Sequence, residues 1–295
     1  MKLRRQPIIA VAAVAVVAGI VLAIVHSSRK DKAEATSAPA TPAVQPLNIS
    51  IMLDLSDRLV AKGSNDQIPQ MEKDITIIAH LRDWFIQRQV QHRFMTEDVM
   101  RVFFYPNPAM PNIQQLQDNL TVDLRFGSGK KLPQVKKNRQ TLLQMPDTWN
   151  QSLEQIYSTA IATKQWIGAD VWGYFNHSAK NQCIRAGYRN ILIILTDGYL
   201  YHIKSWQRTP PGVYTGISPV TVAQQTAIAP ITDNMSDLEV LFLEINPKKP
   251  TDFNPMRQLL TDWCHNMGIQ HCDAIITDQP INNYPAIDNF INYQP

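Results

Sequence analysis

The chain has 295 residues, enough for one large domain or for one domain and a tail. Its formal net charge of +3 is mild, and much of it sits in Lys2, Arg4, Arg5, Arg29, Lys30 and Lys32. Without those six the remainder is close to neutral or slightly acidic, which makes nucleic acid an unlikely partner class, and 20 prolines against 11 glycines suit firm turns better than a glycine-rich nucleotide binder.

Residues 1–7 carry Lys2, Arg4 and Arg5, and residues 8–25 that follow are apolar and uncharged. A run of roughly 18 such residues is at the lower limit for a membrane-spanning helix. The positive-inside tendency then puts the N-terminus in the cytoplasm and the bulk of the chain in a periplasmic or extracellular space. The competing reading is a cleaved signal peptide ending near Ser37-Ala38-Pro39-Ala40. The apolar run exceeds the usual signal core, and the basic residues 29–32 separate it from those small residues. The expectation is therefore a single-pass anchor over residues 8–26. Residues 27–46, rich in alanine and proline, form an extended linker, and residues 47–295 form the folded domain.

Strands and helices alternate through that domain. Residues 48–53 predict a first buried strand, and apolar spacing over 68–90 predicts a long helix. A strand follows at 99–105 and a short one at 120–126, leading into a basic, glycine-containing loop at 127–137. Residues 149–165 read as a helix, Asp170 as the N-cap of the next apolar stretch, 171–175, and 190–195 as a strand. An irregular aromatic insertion spans 199–220. Residues 238–245 predict a strand, 255–267 a helix, 271–276 a last strand and 287–293 a terminal helical turn. This order predicts an α/β fold with a doubly wound, mostly parallel sheet flanked by helices.

Two of the strands end in acidic turns. Asp54-Leu55-Ser56-Asp57-Arg58 closes the first, and Thr196-Asp197-Gly198 closes the strand at 190–195. Open α/β sheets bind ligands beyond the carboxyl ends of their strands. Side by side, these two strands would gather Asp54, Ser56 and Asp197, all oxygen donors of the kind hard cations such as Mg²⁺ select. Asp57 reads as a solvated turn residue or helix cap.

A strand ending in Asp-x-Ser, a helix, and a later strand ending in Thr-Asp-Gly resembles the von Willebrand factor type A (vWA) family. The resemblance extends from residue 48 to about 293 and implies a Rossmann-like fold with a metal-ion-dependent adhesion site. In that family the serine matching Ser56 ligates Mg²⁺ directly, and the aspartates matching Asp54 and Asp197 act directly or through water. A partner's carboxylate often completes the shell. The second serine of the family's Asp-x-Ser-x-Ser loop is replaced here by Arg58, which has no acceptor. The family's threonine has Asp170 as its nearest positional counterpart. Two arrangements stay open: an Arg58–Asp170 salt bridge filling the site, or Asp170 joining a shell of Mg²⁺ or Mn²⁺ while Arg58 grips an anionic partner.

Tyr199, Tyr201, Trp206 and Tyr214 in the insertion are residue types enriched in interface hot spots. His177 and His202 read as surface residues. Cys183, Cys264 and Cys272 offer either a bridge between Cys264 and Cys272 or three reduced thiols; Cys264-His265 with His271-Cys272 fits none of the usual zinc spacings. No P-loop, Gly-x-Ser-x-Gly, His-Glu-x-x-His or Gly-x-Gly-x-x-Gly motif is present. The expectation is a non-enzymatic, membrane-anchored domain that binds a protein partner. The alternatives are a metal-dependent hydrolase or phosphatase, whose turnover Asp54→Asn would abolish, and a metal-free scaffold using its aromatic loop.

Overall fold

Every residue of the first strand, β1 (Leu47–Leu53), is buried, as a strand covered on both faces requires. The computed structural model describes residues 44–56, 59, 69–126, 131–163, 169–200, 202, 212–219, 222, 227–276 and 278–293. After β1 come α1 (Gln70–Gln91), β2 (Val99–Phe103), α2 (Ile113–Asn119), β3 (Thr121–Asp123) and α3 (Lys131–Thr163). Then follow α4 (Val171–His177), α5 (Ala179–Cys183), β4 (Arg189–Leu195), β5 (Val213–Tyr214) and β6 (Ala227–Ile228). The chain continues through β7 (Leu238–Ile245), α6 (Phe253–Asn266), β8 (Cys272–Ile276) and α7 (Pro280–Asn292).

Six strands form one sheet in the order β3-β2-β1-β4-β7-β8; β5 and β6 pair separately. All neighbours in the large sheet are parallel except the edge pair β2–β3. Side-chain alternation sorts the core to the two faces. Ile49, Ile51 and Leu53 of β1 and Ile191, Ile193 and Leu195 of β4 meet Ile77, Leu81 and Phe85 of α1, Trp149 and Tyr157 of α3, and Ile287 and Phe290 of α7. Met52, Leu192 and Ile194 face the other way, against Tyr174 and Phe175 of α4 and Met256, Leu260 and Trp263 of α6. The mixed α/β, mostly parallel architecture expected from the sequence is present.

Several bounds differ from the sequence reading. Helix α3 begins at Lys131, within the stretch read as a basic loop, so Lys131, Lys136 and Lys137 lie exposed on its first turns. Pro146 sits inside this helix, and the buried Asn138 ties its first half to the body by donating to Leu124 O at 2.8 Å. The terminal helix starts at Pro280, a residue well suited to a first helical turn, and contains Pro285. Helices α2 and α5 and the β5–β6 pair were not anticipated. Among the described residues no helix is long and apolar enough to cross a membrane; the segment read as an anchor, residues 8–26, and the linker up to residue 43 lie outside the described residues.

Candidate functional site

The strand ladder runs on past the ends of β1, β4 and β7. Leu53 pairs with Leu195 and Leu195 with Leu243; beyond them Asp54 N donates to Leu195 O at 3.0 Å and Thr196 N to Leu243 O at 3.0 Å. Asp54, Thr196 and Glu244 therefore stand level across three adjacent strands at the carboxyl edge. Between β1 and β4 the chain connections turn in opposite directions along the sheet, toward β2 and β3 on one side and toward β7 and β8 on the other. Such switch points are where open α/β sheets hold ligands.

Asp54 is 3% exposed, and both of its oxygens accept. Oδ1 takes the Ser56 N–H at 2.9 Å, which folds the turn, and Oδ2 takes the Thr196 hydroxyl at 2.9 Å. That hydroxyl also accepts from Gly198 N at 3.2 Å, so one threonine orients both acidic turns. Gly198 has φ +91°, and a Cβ there would collide with Met256 Sδ, so glycine meets both a backbone and a space requirement. Asp197 Oδ1 accepts from Tyr199 N at 2.9 Å, and Asn246 N donates to Asp197 O at 2.9 Å. Tyr199 is half-buried, with its hydroxyl accepting from Lys248 N at 2.7 Å. Burial pushes its phenol pKa up; the Lys248 N–H opposes that shift, and Asp197 and Asp252 reinforce it.

Asp170 is an N-cap, as expected: its Oδ1 accepts from Gly173 N at 2.9 Å. Its own N–H donates to Tyr105 O at 2.9 Å, just beyond β2, so Asp170 lies at the same carboxyl edge. Asp170 Oδ2 lies 3.7 Å from Nδ1 of His202. His202 is 8% exposed, which overturns its reading as a surface residue, whereas His177 is exposed as expected. The segment after β4 thus reaches across from Asp197 to Asp170. Tyr214 is buried, at 8% exposure, on β5, not displayed on a contact surface. Arg58, Tyr201 and Trp206 lie outside the described residues.

Glu244 carries a signal that sequence reasoning passed over. It is an acidic residue, 1% exposed, in an otherwise apolar strand end, and its φ of +67° is unfavourable for a residue with a Cβ. A register irregularity between Phe242 and Ile245 accompanies it. Its Oε2 accepts from Gln70 Nε2 at 3.1 Å; the same amide donates to Asp74 Oδ1 at 2.9 Å, and Tyr157 OH donates to Asp74 Oδ2 at 2.5 Å. A buried polar layer therefore underlies the acidic edge on the α1 side.

The donor chemistry suits a hard cation, since Asp54, Ser56 and Asp197 supply oxygens only. Among the described residues no group of three or more His, Cys, Asp or Glu side chains closes on one point. The Asp54 oxygens keep further lone pairs but already accept protein donors.

No protein-family model matches the chain, and no curated protein matches it. Among solved structures, the pilus adhesin SpaC from Lactobacillus rhamnosus GG is similar over 84% of this chain, with 10% sequence identity and a TM-score of 0.38. The match spans only 30% of that adhesin. Fold and site stand on the chain's own residues.

Proposed function

We propose that this chain is a membrane-anchored, extracytoplasmic vWA-like domain that binds a protein partner at the carboxyl edge of a doubly wound sheet. Counted within the large sheet alone, the strand order is 3-2-1-4-5-6, the doubly wound order whose switch point falls at Asp54 and Thr196. The observation that carries the reading is the hydrogen bond from Thr196 Oγ1 to Asp54 Oδ2, which joins the Asp-x-Ser turn to the Thr-Asp-Gly turn. Asp54, Ser56 and Asp197 form the site, Asp170 assists, and a hydrated Mg²⁺ or Mn²⁺ bridges it to a carboxylate of the partner. Tyr199 contacts the partner, together with Arg58, Tyr201 and Trp206, which lie outside the described residues. Residues 8–26 anchor the domain, with the N-terminus in the cytoplasm.

Calorimetric titration of residues 45–295, the compact unit, with Mg²⁺ and Mn²⁺ tests the cation. Heat of binding that disappears in Asp54→Ala is the expected result. Absence of heat together with an unchanged melting temperature removes the metal. Partner capture with and without EDTA then tests the second reading, metal-free binding through the 199–214 segment. That reading is favoured by the protein donors already held by both Asp54 oxygens. Capture that survives EDTA and Asp54→Ala but is lost on Trp206→Ala supports it.

A further inference from the structure

Far from the acidic edge, helix α6 ends where the chain turns back into β8, and this turn is tightly built. Met267 N and Ile269 N both donate to Cys264 O, at 3.0 and 3.1 Å, and Gly268 takes the positive φ of +87° that the reversal needs. Met267 and Ile269 are buried, and Arg257 on α6 pairs with Asp273 on β8 at 2.7 Å. Two cysteines bracket the turn. Cys264 is fully buried on the last turn of α6, and Cys272, half-buried, is the first residue of β8, beside Val240 of β7. Both thiols are free; Cys264 belongs to the core cluster on that face of the sheet and Cys272 packs against the same cluster. The third cysteine, Cys183, is occupied elsewhere, against Tyr174 OH at 3.0 Å and Arg101 Nη2 at 3.7 Å.

We propose that Cys264 and Cys272 form a built-in dithiol that closes to an intramolecular disulfide by exchange with an external disulfide, pinning the edge strand β8 to the end of α6. The step balances without another reagent. The Cys272 thiolate, on the more exposed side chain, attacks one sulfur of the external disulfide, breaks its S–S bond and expels one thiolate. Cys264 then loses its proton to solvent or to that thiolate and attacks Cys272 Sγ. The Cys264–Cys272 bond forms, the mixed disulfide breaks, and a second external thiol leaves. Two protein thiols are oxidised and one external disulfide is reduced to two thiols. Burial and the Cys272 thiol raise the pKa of Cys264, which makes this second attack the slow one. The tight turn that brings β8 back along α6 compensates by making it intramolecular. Because β8 is the last strand of the sheet, the cross-link fastens the sheet boundary where no further strand supports it.

The test treats the full-length chain, purified reduced, with oxidised glutathione and then alkylates it in denaturant for intact-mass analysis. One alkylatable thiol, that of Cys183, and a loss of two hydrogens are expected, with a thermal midpoint about 5–10 °C higher. Three alkylated thiols, or a lasting glutathione adduct on Cys272, would overturn the proposal. Cys272→Ser leaves Cys264 in its packed place and so guards against misreading a folding defect. It should keep two alkylatable thiols after the same treatment, and a Cys183–Cys264 bond in that variant would also defeat the inference. Cys183→Ser should still close the disulfide and retain no alkylatable thiol.

Discussion

The two ends of one sheet use buried polar residues in opposite ways. At the amino edge they tie helices to strands. Asp98, fully buried, accepts from Leu47 N at 2.8 Å, Arg88 Nε at 2.9 Å and Gln89 Nε2 at 2.6 Å, joining β1, α1 and the entry to β2. Arg189 grips Glu239 with two nitrogens, at 2.6 and 2.8 Å, and donates to the carbonyls of Ile291 and Phe290 on α7. Glu239 also meets His271 Nδ1 at 2.5 Å, and that ring stacks on Phe290. At the carboxyl edge Asp54 and Asp197 accept from turn N–H groups and one hydroxyl, while Glu244, level with Asp54, meets Gln70 of α1 at 3.1 Å. The amino edge is therefore fastened by charged clamps, whereas the carboxyl edge gathers carboxylates on hydrogen-bonded turns. This is the division expected of an open parallel sheet, in which strand carboxyl ends carry ligands.

Substitutions at the two edges should separate stability from binding. The largest effect belongs to Asp98→Ala, which strands Arg88 and Gln89 beside a buried gap; a loss of about 3–5 kcal/mol in denaturant unfolding is expected, without a specific effect on cation binding. Glu239→Gln should cost about 2–3 kcal/mol by removing the charged acceptor of Arg189, again measured by chemical unfolding. Thr196→Val at the other edge should cost only about 1–2 kcal/mol, yet weaken cation and partner binding, because Asp54 Oδ2 loses the Thr196 hydroxyl and Gly198 N its bond to that hydroxyl. If Thr196→Val lowers stability as much as Asp98→Ala and leaves titration heats intact, the contrast between the edges fails.

The smallest effect is a pH dependence at the amino edge. Burial raises the pKa of Asp123, but the side-chain and backbone hydrogen bonds from Arg125, with its charge, together outweigh that and hold it below 3.8. A carboxylate with a lowered folded-state pKa contributes stability fully above its unfolded value, and that contribution is lost as pH falls through the folded value. Both side chains are more than a third exposed, so the pair is worth about 0.5 kcal/mol. Asp123→Asn should lower stability at pH 7 by about 0.5 kcal/mol, and the difference from the parent should vanish as pH falls through the folded-state pKa of Asp123.

The six strands of the large sheet and the longer helices were legible from residue 48 onward because buried runs and helical spacing are written locally, whereas the short α2 and α5 and the β5–β6 pair were not. Bounds failed where the local pattern ran against the outcome. The first half of α3 offers exposed Leu132 and several lysines before Pro146, so its helicity depends on Leu142, Met145 and Asn138 meeting the body of the protein. The prolines at 280 and 285 hid the start of α7 in the same way. At the site, Asp54, Ser56 and Asp197 were visible as strand-end residues and Asp170 as a cap. His202 gave no signal, because a lone histidine in an irregular segment reads alike whether it faces water or a buried carboxylate.

By itself the sequence determined the six strands of the large sheet and that two of them finish in acidic turns, since hydrophobic runs and turn residues act within a few positions of one another. The tertiary structure alone decided which turns meet. Thr196 reaches Asp54 because β1 and β4 are neighbours, and His202 reaches Asp170 because the chain after β4 crosses the edge toward β2. Glu244 faces Gln70 from a strand end with left-handed backbone. Each of these contacts joins residues far apart in the chain, and strand order, not local preference, sets their distance.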